Sequence, residues 1–291
     1  MTNVIEHQLW DAFTFPADDG YELHGRWFEP NGEARGVILV VPAMATPAAY
    51  YATFASWLRD RGFAVMTFDY RGHGESLDGP MRQVRSDLVR WALDARDALD
   101  HAHVRAGGRP VTWLGHSLGG QVLPFADHTK ADRTISVAAG SGYWRHNTPR
   151  ARRLAPLLWK VIAPSAMAVT GYFPGGRLRI LGDLPANVMR QWSRWCMHPD
   201  YLLGELPEMR ERFAEVETPM ASISFTDDEL MSATSISTLD GLYTSVDTTR
   251  MRFTPQQLGV DRMGHFGFFR HNQVDLWDEL VLPHLAEQRS S

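Results

Sequence analysis

The chain has 291 residues, which is enough for one large α/β domain or two small ones. Hydrophobic residues make up 44% of the chain and charged residues 22%, a composition typical of ordinary globular proteins. The formal net charge of -5 argues against a general nucleic-acid binder, because such a protein needs a basic surface.

Near the start of the chain, apolar and polar residues alternate in two stretches, residues 7–15 and 21–29. This alternation predicts half-exposed strands, which the Asp-Asp-Gly turn at residues 18–20 would join into an antiparallel edge. Beyond this edge, short apolar runs alternate with helix-patterned stretches, which predicts a mainly parallel sheet with helices on both faces. The predicted buried strands are residues 36–42, 63–69, 111–115, 134–140 and 220–225.

Two amphipathic helices are predicted between these strands. In the first, Thr46 would be the N-cap, Pro47 the first helical residue and Gly62 the residue that ends the helix. The second covers residues 84–102, whose apolar residues recur at helical spacing. Each helix would pack its apolar stripe against the sheet.

The alternation of strands and helices lapses after residue 144 for roughly seventy residues, which is long for a connection in a compact domain. It resumes at Pro219. Because the intervening segment is rich in Trp, Met, Leu and Pro, we expect a folded insertion rather than a linker. Its most apolar window, residues 154–173, contains Lys160 and two prolines, so we do not expect it to span a membrane. An apolar surface in contact with lipid stays open.

The chain has one cysteine, Cys196, so it cannot form an intrachain disulfide, and the expected location is the cytoplasm, which is reducing. We expect Cys196 to be a buried structural thiol rather than a nucleophile. The first twenty residues are acidic and contain no continuous apolar run, so we expect no secretory signal.

Residues 111–122, VTWLGHSLGGQV, run from a predicted buried strand into a serine with glycine on both sides. The pattern fits a strand, a sharp turn and a helix, with Ser117 at the apex of the turn. Gly115 and Gly119 would remove the β-carbons that collide across such a bend. The turn would lift the hydroxyl of Ser117 away from the sheet and aim the N–H of Leu118 at a developing oxyanion. A loop that happens to contain a serine is the alternative.

A serine hydroxyl is a poor nucleophile until a base takes its proton, so the chain should also supply a histidine and an acid that orients it. Asp227 and Asp228 follow the strand at residues 220–225, and we assign the acid to Asp228, with Asp227 as the alternative. His265 lies in a glycine-bracketed loop before the last helix, and we prefer it to His271 for the base. The histidines and acids lack the spacing of metal ligands, so we expect no metal and no cofactor.

The order Ser117, Asp228, His265 resembles that of serine hydrolases in the α/β-hydrolase superfamily. FDYRGHGES, residues 68–76, is similar to a turn after the fourth strand in many members, and GHFGFFR, residues 264–270, is similar to their catalytic-histidine loop. The chain is similar in particular to a bacterial group of predicted serine hydrolases. The resemblance implies the α/β-hydrolase fold and a catalytic triad of these three residues.

The resemblance also implies that the insertion is a helical cap placed after the sixth strand. The domains would then be a core of residues 1–144 and 219–291 and a cap of residues 145–218. In the turn at residues 68–76, Asp69 and Arg71 are expected to have a structural role.

In the superfamily, an N–H after the third strand is often the second oxyanion donor, usually beside a His-Gly pair. The run here is Pro42-Ala43-Met44, so the resemblance implies the N–H of Met44, with Ala43 as the alternative, beside the N–H of Leu118. An aromatic and Met-rich cap would suit an apolar acyl or aryl group. The substrate-binding candidates are Ala43, His116, Trp144, Trp159, Trp192, Trp195 and Phe266, with Met167, Phe173 and Met197 as further cap residues.

Four arginines, Arg145, Arg150, Arg152 and Arg153, stand at the start of the predicted cap. A run of charge is usually a solvated face. The alternative is a site for an anionic group, such as a substrate tail, a coenzyme A phosphate or a lipid headgroup.

The sequence therefore predicts a cofactor-independent serine hydrolase that cleaves small-molecule carboxylic esters through an acyl-enzyme. An acyltransferase or an amidase or peptidase with the same triad stays open, as does a non-catalytic binding protein on the same scaffold. No nucleic-acid partner and no membrane span are expected. A homodimer stays open, because nothing in the sequence decides the oligomeric state.

Overall fold

The computed structural model describes residues 10–286, and within them the chain forms an eight-stranded sheet. The strands are β1 (Asp11–Pro16), β2 (Glu22–Phe28), β3 (Val37–Val41), β4 (Ala64–Phe68), β5 (Val111–His116), β6 (Arg133–Val137), β7 (Met220–Phe225) and β8 (Thr249–Phe253). Their order is β1-β2-β4-β3-β5-β6-β7-β8. β2 pairs antiparallel with both β1 and β4, and all the other neighbours are parallel. The predicted parallel sheet with an antiparallel edge is confirmed; residues 7–9 of the first predicted strand lie outside the described range.

Helices connect the parallel strands and also fill the long interval between β6 and β7. They are α1 (Ala52–Asp60), α2 (Leu88–Ala106), α3 (Leu118–Gln121), α4 (Pro149–Leu157), α5 (Ala163–Thr170), α6 (Gly175–Leu178), α7 (Ala186–Met197), α8 (Met209–Ala214), α9 (Ala233–Asp240) and α10 (Val274–Leu280). One π-helical turn, Leu158–Ile162, joins α4 to α5. We call residues 138–219, which contain α4 to α8, the helical segment.

The parallel strands are buried on both faces, which explains why they read as continuous apolar runs. In β3, Leu39 belongs to the core on one face of the sheet and Ile38 to the core on the other, as the period of two requires. Trp91 of α2 packs into the first core, and Trp277 of α10 packs into the second. Side chains of the helical segment also join the first core. The helices therefore cover both faces, as predicted.

The start of the first helix differs from the prediction. A 3₁₀ turn, Ala48–Tyr51, precedes α1, and the hydroxyl of Thr46 donates to the carbonyl of Met44 at 3.2 Å rather than capping the helix. The N–H of Ala48 donates instead to Oδ1 of Asp69 at 2.7 Å. The predicted N-cap role of Thr46 is therefore wrong, because a carboxylate from the end of another strand takes its place.

Two buried contacts fix the helical segment to the sheet domain. Oε1 of Gln191 on α7 accepts the N–H groups of Leu88 at 2.7 Å and of Val89 at 3.1 Å at the start of α2. The hydroxyl of Tyr201 donates to Oε1 of Gln121, at the end of α3, at 2.9 Å. Among residues 10–286, no helix is both long and apolar enough to cross a bilayer.

Candidate active site

Ser117 lies on a sharp turn between β5 and α3, in a backbone conformation that side chains rarely adopt. Its φ is 52° and its ψ is -110°. A β-carbon on Gly115 would lie 2.3 Å from the carbonyl oxygen of Gly119, and one on Gly119 would lie 2.1 Å from the carbonyl oxygen of Val41. Both positions therefore require glycine, and the strain at Ser117 is held by packing against the neighbouring strand.

The structure brings Ser117, His265 and Asp228 together in one hydrogen-bonded row. Nε2 of His265 lies 3.0 Å from Oγ of Ser117, and Nδ1 of His265 lies 2.8 Å from Oδ2 of Asp228. The side chains of His265 and Asp228 are each only 1% exposed. A carboxylate, an imidazole and a hydroxyl in this order are within the distances that proton transfer to the imidazole requires.

Asp228 is the acid of this row, and Asp227 has a different contact. Oδ1 of Asp228 accepts the N–H groups of Leu230 at 2.7 Å and of Met231 at 2.8 Å, which leaves Oδ2 directed at the imidazole. Oδ2 of Asp227 accepts the N–H groups of Met263 and Gly264 at 2.8 and 3.1 Å. Asp227 therefore shapes the loop before the histidine.

Glu229, for which the sequence analysis predicts no role, also holds the histidine loop. Its Oε2 accepts the N–H of His265 at 3.0 Å and lies 3.6 Å from the guanidinium of Arg262. Three consecutive acids, Asp227 to Glu229, thus contact the loop that carries His265, through its backbone N–H groups or through the ring of His265. The signal available in the sequence was the acidic run DDE directly after a strand.

His116 was predicted to line the substrate site, but the structure contradicts this. It is buried, and its ring connects two loops by hydrogen bonds. Its Nε2 lies 3.0 Å from the carbonyl oxygen of His265, which can only accept, so this nitrogen carries the proton. Burial first, and then the proximity of His265, lower the pKa of His116 well below its usual value, so the ring is neutral. Nδ1 of His116 therefore accepts the hydroxyl proton of Tyr51 at 2.8 Å.

The same tyrosine binds one of the two candidate oxyanion donors. The N–H of Ala43 donates to Oη of Tyr51 at 2.9 Å and is therefore occupied. Met44 and Leu118 lie beside Ser117 in the wall of the cavity described next. Met44 lines the cavity and Ala43 does not, so Ala43 is corrected from a substrate contact to a support of the loop.

A cavity of about 360 Å³ opens in front of Ser117. Its wall is mostly apolar and comes largely from the helical segment. Of the predicted substrate contacts, Trp159, Trp192 and Phe266 line it. The contacts that sequence reasoning missed include Gln121, Asn147, Ala151, Leu154, Leu158, Ile162, Ile180, Leu181 and Glu229. Ala151, Leu154, Leu158 and Ile162 recur at helical spacing, which is the signal that could have found the α4 wall.

The other predicted cap residues pack elsewhere. Trp195 is buried edge-on against Tyr201, with ring centroids 5.8 Å apart, and does not reach the cavity. Trp144 is also misassigned, because it stacks under the guanidinium of Arg145 on the outside of the helical segment. Phe173 and Met167 are buried in the core, and Met197 packs against that core. Cys196 is a buried free thiol, as predicted, and it touches the cavity wall.

The turn at residues 68–76 is held by its own charged groups. Oδ1 of Asp69 accepts the N–H of Ala48, and Oδ2 accepts the N–H of Glu75 at 3.0 Å. Arg71 forms an ion pair with buried Asp94 at 2.6 Å. These contacts agree with the structural role expected for Asp69 and Arg71. Among the described residues, no group of three or more His, Cys, Asp or Glu side chains could hold a metal ion.

Known proteins of similar sequence or fold indicate the family of this chain. Residues 32–177 match the family described as serine aminopeptidase, S33. The chain is 34% identical over 140 residues to the protein YfhR of Salmonella typhimurium, covering 45% of this chain and 46% of that protein. It is 32% identical over 104 residues to the human monoglyceride lipase, covering 36% of this chain and 34% of the lipase. The chain thus spans less than half the length of the curated relatives it matches.

Among solved structures, the chain is similar to a soluble variant of monoglyceride lipase from Saccharomyces cerevisiae in complex with a substrate analogue. The TM-score is 0.66 and the identity 13%, and the match covers 98% of each chain. At this identity the likeness concerns the fold, which is that of an α/β hydrolase. Because the family match extends over half of the sequence, the chain belongs to the serine aminopeptidase S33 family of α/β-hydrolase serine hydrolases.

Proposed function

We propose that this hydrolase cleaves carboxylic esters that carry an apolar acyl or aryl group. The observation that carries the proposal is the 3.0 Å contact between Ser117 Oγ and His265 Nε2 at the end of an apolar cavity. A nucleophile paired with a base, and a base oriented by a buried carboxylate, is the arrangement that acyl transfer requires.

In the proposed mechanism, Oγ of Ser117 attacks the ester carbonyl while Nε2 of His265 takes the hydroxyl proton. Asp228 holds the ring and stabilises the imidazolium that forms. The N–H groups of Leu118 and Met44 donate to the tetrahedral oxyanion. His265 then gives its proton to the leaving alkoxide, which departs as the alcohol.

The second half of the reaction reverses these roles. His265 takes a proton from a water molecule, the resulting hydroxide attacks the acyl-enzyme carbonyl, and the protonated ring returns the proton to Ser117 as the carboxylic acid leaves. No cofactor enters either half.

The cavity supports an acyl group of moderate length. Its volume of about 360 Å³ is near the lower end of the roughly 300–1,000 Å³ found for small-molecule sites. The similarity to monoglyceride lipases supports an ester rather than a sugar or phosphate substrate. An acyltransferase would use the same residues and replace water by another nucleophile.

An amidase or peptidase is the second candidate, because the matching family is described as serine aminopeptidase. Glu229 supports it as well, since it is the one charged side chain among the described cavity residues and could face a substrate ammonium group. A non-catalytic binding protein is disfavoured by the aligned triad contacts.

A series of p-nitrophenyl esters from acetate to palmitate tests the ester proposal. We expect turnover that peaks at intermediate chain length, is lost in Ser117→Ala and is unchanged in Ser237→Ala, a matched change at an exposed serine on α9. Faster turnover of aminoacyl p-nitroanilides, reduced by Glu229→Gln, would instead favour the peptidase. Product that incorporates an added alcohol in preference to water would favour the acyltransferase.

Cell fractionation and analytical ultracentrifugation would test the two remaining predictions, the cytoplasmic location and the open question of a homodimer.

A further inference from the structure

We propose that one face of the helical segment docks on the surface of an anionic lipid bilayer. We call this face the apolar-basic surface; it consists of the exposed side chains of residues 145–180. The proposal goes beyond the hydrolase chemistry, and its test does not require turnover.

The first observation is the concentration of exposed apolar side chains on this face. Of the seven large hydrophobic side chains that are strongly exposed among residues 10–286, six fall between residues 154 and 180, and Val169 is 87% exposed. They are Leu154, Leu157, Val161, Val169, Leu178 and Ile180. Contiguous exposed apolar side chains of this kind mark interaction sites.

Three of these side chains share one side of a continuous helical stretch. Leu154, Leu157 and Val161 follow i, i+3, i+7 spacing along α4 and the π-helical turn, so they project on one face. The opposite face of the same stretch is buried, with Ala155 and Trp159 in the core. The stretch is therefore amphipathic and would lie flat at a bilayer surface, with its exposed stripe among the headgroups and upper acyl chains.

The second observation is the charge of the same region. Between residues 145 and 182 the sequence contains no Asp or Glu, although the whole chain has a net charge of -5. The region carries seven cations: Arg145, Arg150, Arg152, Arg153, Lys160, Arg177 and Arg179. All seven are exposed, and none forms an ion pair with another residue in the described range 10–286.

Charge complementarity selects an anionic bilayer over a second copy of the chain. Pairing two apolar-basic surfaces would bring two sets of unpaired cations together, which is repulsive. An anionic leaflet supplies both missing partners at once, apolar acyl chains for the exposed Leu and Val side chains and negative headgroups for the arginines. The four arginines at the start of the segment, which take no part in the proposed mechanism, would thereby bind the headgroups.

The third observation is continuity with the cavity. Leu154, Leu157 and Ile180 belong to the apolar-basic surface and also line the cavity that contains Ser117. Docking would therefore place the mouth of the cavity against the lipid, so that an apolar ester could enter from the bilayer without crossing water.

The test uses Ser117→Ala protein, so that binding is measured without turnover, and vesicles of pure phosphatidylcholine or of equimolar phosphatidylcholine and phosphatidylglycerol. We expect co-sedimentation with the anionic vesicles only, weakened by added salt. Arg153→Glu with Lys160→Glu should lower the partition coefficient by at least about 25-fold, about five-fold for each cation removed. Val161→Ser with Val169→Ser, neither of which lines the cavity, should lower it about tenfold or more.

Matched controls separate docking from general charge and polarity. Val104→Ser changes the one strongly exposed large hydrophobic outside the apolar-basic surface among the described residues, and Arg210→Glu reverses an exposed cation on α8, also outside this surface. Both should leave partitioning unchanged.

Two results would overturn the proposal. One is no binding to anionic vesicles, or equal losses in the controls and the surface variants. The other is self-association in solution that the surface variants abolish, which would assign the face to a second copy. Because binding is measured in an inactive variant, failure of the ester proposal would leave this result unaffected.

Discussion

Tyr51→Phe tests whether a buried row of hydrogen bonds positions the loop that carries the second oxyanion donor. Oη of Tyr51 accepts the N–H of Ala43 at 2.9 Å and donates to Nδ1 of His116 at 2.8 Å. Nε2 of His116 in turn donates to the carbonyl of His265 at 3.0 Å. The row thus connects the loop of Met44 with the loop of the base.

The substitution removes one oxygen and creates almost no cavity, so the loss is that of hydrogen bonds. It leaves the N–H of Ala43 and Nδ1 of His116 buried without a partner, at a cost of about 1–3 kcal/mol each. We expect the free energy of unfolding to fall by roughly 2–6 kcal/mol and Tm to fall by roughly 3–10 °C.

The same change should reach catalysis through the N–H of Met44. Removal of an oxyanion donor lowers kcat by about 100- to 1,000-fold, and displacement of one should lower it by about 10- to 100-fold, with KM nearly unchanged. The assays are thermal unfolding and steady-state ester hydrolysis. Tyr21→Phe is the control, because it deletes a single hydrogen bond to the carbonyl of Ser76 far from the cavity. A Tyr51→Phe variant with the Tm and kcat of that control would refute the reasoning.

Three further predictions concern the acids and the buried histidine. Asp228→Asn should lower kcat by about 10⁴-fold, whereas Asp227→Asn, its isosteric neighbour, should stay within about tenfold of the wild type; the reverse order in ester kinetics would assign the acid to Asp227. Glu229→Ala should lower kcat about tenfold because the N–H of His265 loses its acceptor, and Glu229→Gln should restore it; equal losses would refute a positioning role. The depressed pKa of His116 means that the unfolded chain binds a proton below about pH 6.5 that the folded chain rejects. Stability should therefore fall with decreasing pH, by up to about 1.4 kcal/mol per pH unit from this group; urea unfolding between about pH 5.5 and 7.5 should show a smaller slope in His116→Gln, and an unchanged slope would contradict this.

The elements that sequence reasoning found are those whose signals are local. The turn at Ser117 was predictable because a serine with glycine on both sides, directly after an apolar run, is a local pattern. The parallel strands were predictable because burial on both faces produces continuous apolar runs. The acid could be selected because Asp228 directly follows a strand, and the base because His265 lies in a loop before the last helix. The order of the three residues along the chain supports both assignments.

The features that sequence reasoning missed depend on contacts between distant residues. β8 was not predicted although its sequence, TRMRF, alternates charged and apolar residues, because the strand is only five residues long and partly exposed, which makes the signal weak. Thr46 had the local signature of a cap, but Asp69 reaches the same N–H group from another strand. His116 was read as a pocket residue because it adjoins Ser117, and only the fold shows that its side chain lies on the opposite side, between Tyr51 and His265.

The residues of the cavity wall were also beyond local reasoning. Large aromatic side chains in the helical segment were expected to face the substrate, but Trp195 and Phe173 pack inward while Leu154 and Ile180 line the cavity. Which face of a helix meets the cavity depends on how the helix docks, and residue type alone does not determine it.

Labelling with a fluorophosphonate tests the central claim, that Ser117 is the activated nucleophile. Intact mass spectrometry should show a single adduct on the wild-type protein, peptide mapping should place it on Ser117, and the adduct should be absent from Ser117→Ala. An unlabelled wild-type protein, or an adduct that persists in Ser117→Ala, would contradict the account.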